Sequence, residues 1–162
     1  MTIDFFDKYD IENDIDRIEK LIKTNIFQPN HSDSIFMRSA FIEVLICLRD
    51  LMRKTEESSS RICFTDDVIL TPNVKDVSDL IRYVRDALCH MESQNHFVAK
   101  TKTKATFNIA YRKGNFMKIG DINLSSDYDD DVCFFFGEQR IYLKRHILRA
   151  LTEAKQKLLP LL

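Results

Sequence analysis

The fold is indicated most clearly by residues 74–93, which read VKDVSDLIRYVRDALCHMES. Apolar side chains recur in this stretch at intervals of three and four residues, the spacing of an α-helix with one buried face. These side chains are Val77, Leu80, Ile81, Val84, Leu88 and Met91. The preceding Thr71-Pro72-Asn73 is typical of a helix start. We therefore predict a helix over residues 74–93, the third in the chain.

Three other segments show the same helical spacing. Residues 11–25 carry an isoleucine stripe, with Asp10 as the candidate N-cap. The stripe consists of Ile11, Ile15, Ile18 and Ile22. Residues 34–54 have a wide apolar face, and residues 140–159 carry leucine anchors. These patterns predict helices one, two and four.

Between the third and last helices the pattern changes to period-two alternation. Residues 105–112 and 116–124 alternate around a turn signal at 113–115, so we predict that they pair as a β-hairpin. Residues 132–136 form a further candidate strand, whose Phe134, Phe135 and Phe136 we assign to the core. The predicted fold is mainly α, a four-helix bundle in one domain over residues 1–162. A small β insertion over about residues 104–136 would precede the last helix.

Composition restricts the class of protein. A chain of 162 residues with 44% hydrophobic residues buries one core, and a net charge of −1 excludes a strongly basic nucleic-acid coat. The four cysteines form no C-x-x-C pair, so we expect buried free thiols rather than a zinc site or disulfides. No apolar run approaches the roughly 20 residues of a membrane span. We expect a cytoplasmic protein without a membrane partner.

The third helix also carries candidate functional residues. Arg85 and His90 are five positions apart, so they diverge by about 140° around a helix, whereas Asp86 and His90 are neighbours at i and i+4. Arg82 and Asp86 belong to the same polar face, with Tyr83 beside it. One interpretation is a solvated face with an Arg82–Asp86 ion pair. The other is a site for chemistry.

The segment Arg85-Asp86-Ala87-Leu88-Cys89-His90 resembles the R-x4-H motif of the HEPN superfamily (higher eukaryote and prokaryote nucleotide-binding). The resemblance covers the helical two-thirds of the chain. It implies a HEPN-like helical bundle and a homodimer in which two motifs face each other. Many HEPN proteins are metal-independent ribonucleases, including toxins and antiviral effectors. The resemblance therefore implies that Arg85 and His90 are catalytic in RNA cleavage.

The same resemblance carries further expectations. No metal or cofactor is needed, because RNA supplies its own 2′-hydroxyl nucleophile, and an antitoxin or other regulator is an expected partner in toxin–antitoxin or phage-defence systems. Some members carry a tyrosine two residues after the histidine that a nucleotidyltransferase modifies. Here Glu92 occupies that position, so the chain departs from the pattern that this modification requires. The supporting residues of the candidate site are Asp86, Arg82, Tyr83 and Glu92.

Two other function classes stay open. The chain is alternatively a non-catalytic HEPN-like module that binds a nucleotide, RNA or a protein, or a helical adaptor. Lysines alternate after the motif and point to one side if extended, so they are candidates for binding RNA backbone; a solvated linker is the other interpretation. These candidates are Lys100, Lys102 and Lys104, joined by Arg112. His96 is a candidate border of the site.

An acidic segment resembles a calcium loop only in part. Asp127, Asp129 and Asp131 alternate, but Val132 stands where such a loop requires glycine. We therefore expect no metal there.

Overall fold

The computed structural model describes residues 4–98 and 101–162. In these ranges the chain forms four α-helices and five β-strands. The helices are α1 (Phe5–Lys23), α2 (Met37–Ser58), α3 (Val77–Cys89) and α4 (Arg149–Leu158), which follows a π-helical segment, Leu143–Leu148. The strands are β1 (Thr106–Ala110), β2 (Gly114–Ile119), β3 (Ile122–Ser126), β4 (Cys133–Phe136) and β5 (Gln139–Tyr142).

The predicted four-helix bundle is wrong, because the fold is mixed α/β. About half of the residues are helical, and the strands form two small antiparallel sheets. One sheet has the order β1-β4-β5, and its central strand β4 is buried at every position. Residues 140–142, predicted as the start of the last helix, belong to β5 because the two-residue turn after Phe136 returns the chain alongside β4. The sheet is therefore part of the core and not an insertion.

The phenylalanine run joins the sheet to the helices. Because side chains alternate along a strand, Phe134 and Phe136 face the helical core, where their rings meet Phe41 of α2. Phe135 points the other way into a smaller cluster and stacks on Phe116 of β2 at 5.4 Å. The prediction that this run belongs to the core is confirmed.

The predicted hairpin pairs the wrong strands. β1 pairs with β4, while β2 pairs with β3 around Gly120-Asp121. Gly120 has φ +58°, which suits a two-residue hairpin turn. Residues 116–124, predicted as one strand, are therefore wrong as a single element, because this turn divides them between β2 and β3. Alternation alone does not choose between partners that offer similar apolar faces.

Helix ends differ from the predictions where capping decides them. α1 begins at Phe5 because the Asp4 carboxylate accepts a hydrogen bond from the Asp7 N–H at 2.8 Å, which is the N-cap arrangement. The predicted N-cap, Asp10, is therefore wrong, since it lies inside the helix. Of the predicted stripe, Ile11, Ile15 and Ile18 are buried, and Ile22 is partly buried.

The thiols and the helix lengths bear on two further predictions. Cys47 and Cys133 are buried as expected, but Cys63 and Cys89 are exposed, so the prediction of buried thiols holds for only half of them. Among residues 4–98 and 101–162, every helix is too short or too polar to cross a membrane.

Candidate functional site

An ion-pair cluster fixes the start of α3. The carboxylate of Asp76 caps the helix by accepting from the Asp79 N–H at 2.9 Å, and it accepts two hydrogen bonds from the Arg61 guanidinium at 2.8 and 2.9 Å. Burial by itself would raise the pKa of Asp76, but the bonds from Arg61 and the backbone hold it below its usual range. The helix that carries the motif is therefore anchored at its N-terminus.

The structure pairs Arg85 with its sequence neighbour. Arg85 Nη1 lies 2.7 Å from Asp86 Oδ1, and both side chains are about 40% exposed. Arg82 binds Asp79 at 3.2 Å, so the alternative Arg82–Asp86 pair does not form. The Nε of Arg85 is buried and lacks a partner among the described residues. The guanidinium of Arg85 is therefore bound to Asp86 through Nη1, while a large part of the side chain is exposed to solvent.

His90 is the first residue beyond α3. Its backbone is extended, with φ −123° and ψ 102°, although its N–H still donates to the Asp86 carbonyl at 3.1 Å. The side chain is exposed. The expected stacking of Asp86 and His90 at i and i+4 is lost because the helix ends at Cys89, four residues before its predicted end. An accessible imidazole thus projects from the end of the helix.

A second histidine explains why α3 ends there. His96 is only 2% exposed, and its Nε2 lies 2.5 Å from the Ala87 carbonyl oxygen. That carbonyl is one of the last in the helix and lacks the usual N–H partner four residues on. The imidazole takes the place of that partner. His96 was expected to border the site, and the structure places it underneath the site as a cap.

Tyr83 has a structural role in the described chain. Its hydroxyl donates to the Asn95 carbonyl at 3.0 Å, and the Asn95 amide donates back to the Tyr83 carbonyl at 3.1 Å. Burial raises the pKa of Tyr83 to about 12, so the hydroxyl stays protonated near neutral pH. These bonds tie the segment after the motif to α3. Glu92, in that segment, is exposed.

Two arginines of α2 lie near the motif, and the sequence analysis did not predict them. Arg38 Nη2 lies 3.7 Å from Met91 Sδ, which brings the start of α2 beside the end of α3. Burial lowers the pKa of Arg49, and the nearby charge of Arg82 lowers it further. Arg38 and Arg49 are eleven residues apart, about three helical turns, so they share one face of α2. The helical spacing of these two arginines is the feature of the sequence that could have identified them.

Four large apolar side chains on the segments that carry or contact these arginines are exposed. We define the apolar band as Ile35, Phe36, Ile46 and Met91. Their exposed fractions are 84%, 66%, 42% and 71%. Exposed large apolar side chains are candidates for an interaction surface.

The basic residues after the motif have separate surroundings. Lys104 Nζ lies 4.7 Å from the centre of the Phe97 ring, a cation–π contact. Lys102 is exposed, and Arg112 lines a shallow cavity between β1 and β2. Lys100 lies outside the described residues. Among the described residues, no hydrogen bond or ion pair joins Lys104 or Arg112 to Arg85 or His90.

The acidic segment, residues 127–131, stabilises the fold. The buried Asp131 carboxylate accepts from the backbone N–H groups of Lys144 and Arg145 and from the Arg145 guanidinium. These bonds anchor the start of the last helical segment. Over the described ranges, no three His, Cys, Asp or Glu side chains are arranged to hold a metal ion.

Comparison with protein-family models gives no match, and comparisons with curated proteins and with solved structures give none either.

Proposed function

We propose that this protein is a metal-independent endoribonuclease of the HEPN type that acts as a homodimer, in a toxin or phage-defence role. The observation that carries the proposal is the exposed His90 imidazole at the end of α3, little more than one turn beyond Arg85. Two residue types that suit RNA cleavage thus lie at one accessible helix end. An antitoxin or other regulator is the expected further partner.

The chemistry follows from the two side chains. Histidine titrates near neutral pH and transfers protons to or from a 2′-hydroxyl or a leaving 5′-oxygen. Arginine stays charged and binds phosphate oxygens through paired donors. The pair with Asp86 orients the guanidinium, and Arg49 and Arg82 add positive charge nearby. RNA provides the nucleophile.

A dimer supplies the remaining geometry. Arg85 and His90 diverge on one chain, so a composite site needs each residue to meet its counterpart across a two-fold axis. The apolar band supports this arrangement, because a second copy would cover it. Charged Arg38 beside Met91 would lie at the edge of that interface.

The Arg85–Asp86 ion pair favours one alternative, a non-catalytic module that binds RNA, a nucleotide or a protein. A guanidinium that is paired with a carboxylate at 2.7 Å has less charge to offer a phosphate. In this alternative the basic surface of Arg49 and Arg82 binds the ligand, and His90 takes no part in chemistry.

Cleavage of single-stranded RNA in excess EDTA tests the proposal. Wild type is expected to leave 2′,3′-cyclic phosphate ends and to spare DNA. Arg85→Ala and His90→Ala should each lower the rate by about 10²-fold or more. Arg17→Ala is a matched control, because Arg17 is also an exposed helical arginine with a 2.7 Å carboxylate partner. His31→Ala replaces a second exposed histidine.

The dimer is tested by light scattering. Ile46→Lys, in the apolar band, should give a monomer with no activity, while Leu70→Lys, at an exposed apolar residue outside it, should remain a dimer. Equal cleavage by wild type, Arg85→Ala and His90→Ala would refute the catalytic assignment. RNA binding without cleavage would favour the binding module.

A further inference from the structure

A polar cleft of about 370 Å³ lies along α3. Its volume falls in the range of about 300–1,000 Å³ that is typical of small-molecule sites. The residues that shape it come from the loop before α3, from α3 itself and from the segment after the motif. They include Asn73, Lys75, Asp79, Arg82, Asp86 and Asn95. No residue assigned to catalysis lines the cleft.

The walls of this cleft are held in place. Asn95 is fixed by its reciprocal hydrogen bonds with Tyr83. Asp79, another lining residue, accepts from Arg61 at 2.9 Å and from Arg82 at 3.2 Å, so its charge is offset. A cleft with fixed walls binds a ligand without a large ordering cost.

Polar groups at the cleft are left without protein partners. In the described parts of the chain, the Lys75 ammonium and the Asn73 amide make no hydrogen bond or ion pair, although the Lys75 backbone N–H donates to Asp79. The Asn95 side chain uses its NH₂ group on Tyr83, which leaves its carbonyl oxygen as an acceptor. A cation beside amide donors and acceptors suits a ligand that combines a phosphate with a nucleobase.

The cleft also adjoins the candidate catalytic pair. Asp86 lines it, and the same carboxylate binds Arg85 at 2.7 Å. A ligand in the cleft therefore lies one side chain from the guanidinium that would hold the scissile phosphate.

We infer that this cleft binds one nucleotide of single-stranded RNA, next to the phosphate that is cleaved. Lys75 contacts the backbone phosphate of that nucleotide, and the amides of Asn73 and Asn95 contact its base. The inference rests on the proposed function for the position of the scissile phosphate. Binding in the cleft is nevertheless measurable without cleavage.

Binding of a short fluorescein-labelled single-stranded RNA is measured by anisotropy in the His90→Ala background, where cleavage does not interfere. Lys75→Ala and Asn73→Ala should each weaken binding about tenfold, equivalent to about 1.4 kcal/mol. Lys20→Ala is the matched control, since Lys20 is an exposed lysine on α1, and it should change the dissociation constant less than twofold. In NMR spectra, uridine and adenosine 5′-monophosphates should shift the side-chain amide signals of Asn73 and Asn95.

The outcomes separate the two hypotheses. Equal RNA binding by the Lys75, Asn73 and Lys20 variants overturns the cleft assignment, even if wild type cleaves RNA. Absence of RNA binding overturns it too. Weaker binding by the two cleft variants alone supports the assignment, and it does so even if no cleavage is found and the catalytic proposal fails. Binding of free mononucleotides without binding of RNA overturns the RNA assignment.

Discussion

Substitution of Gly137 by alanine tests how tightly the β4–β5 turn holds the segment behind the candidate site. Gly137 has φ +55°, and a Cβ built there lies 2.5 Å from the Asn95 carbonyl oxygen and 2.8 Å from that of Phe97. Both contacts are with backbone atoms, which cannot rotate away. The turn and the segment must therefore separate to accept a methyl group.

Gly120 provides a matched control. It has φ +58° in the β2–β3 turn, and a Cβ there meets nothing within 4 Å. Alanine in the left-handed region costs about 1–2 kcal/mol at either position, before an offset of about 0.4–1 kcal/mol from the less flexible unfolded chain. Overpacking adds about 1–3 kcal/mol at Gly137 only. We expect losses of roughly 1 kcal/mol for Gly120→Ala and 2–4 kcal/mol for Gly137→Ala.

Urea unfolding followed by circular dichroism measures both losses. If unfolding is two-state, the midpoints give the difference directly once the slopes agree. At about 2–4 °C per kcal/mol, the melting temperatures should differ by several degrees. Equal destabilisation by the two variants would refute the close packing of Gly137 against Asn95. Because Asn95 also lines the cleft, Gly137→Ala should weaken RNA binding, whereas Gly120→Ala should not.

Two further predictions concern buried polar groups. Asp131→Ala removes an acceptor of three backbone N–H groups, those of Val132, Lys144 and Arg145, and of the Arg145 guanidinium. It should cost about 3–5 kcal/mol in urea unfolding, against less than about 1 kcal/mol for Asp129→Ala at an exposed carboxylate. Similar losses would contradict the buried anchor. Burial lowers the pKa of His146 below its ordinary value of 6.5, so the unfolded state takes up the proton first and stability should fall as pH drops below 6.5. NMR titration of the ring gives the direct check, and a midpoint above 6.5 would exclude the buried neutral imidazole.

The candidate site could be predicted only in part from the sequence. The motif spacing identified Arg85 and His90 as candidates. Arg82, Tyr83 and Asp86, which were also predicted, lie around one polar side of α3. The partners of these side chains were not predictable, because neighbouring positions offer several carboxylates of similar reach. Asp86 binds Arg85, while Arg82 binds Asp79. Arg49 was missed because its proximity to Arg82 depends on how α2 packs against α3.

The sequence by itself determined the local elements of the fold. The isoleucine stripe of α1 and the apolar face of α2 are repeats within short segments, and each dictates which side chains its helix buries. Alternation over residues 116–124 indicated extended structure, but it did not show the turn that divides β2 from β3. Tertiary structure decided everything that joins distant segments. β1 pairs with β4 because the phenylalanine run needs partners on both edges within the core, which turns an expected helical bundle into a mixed α/β fold. The imidazole of His96 likewise ends α3 at Cys89 and exposes His90, since it satisfies a helix carbonyl from nine residues along the chain.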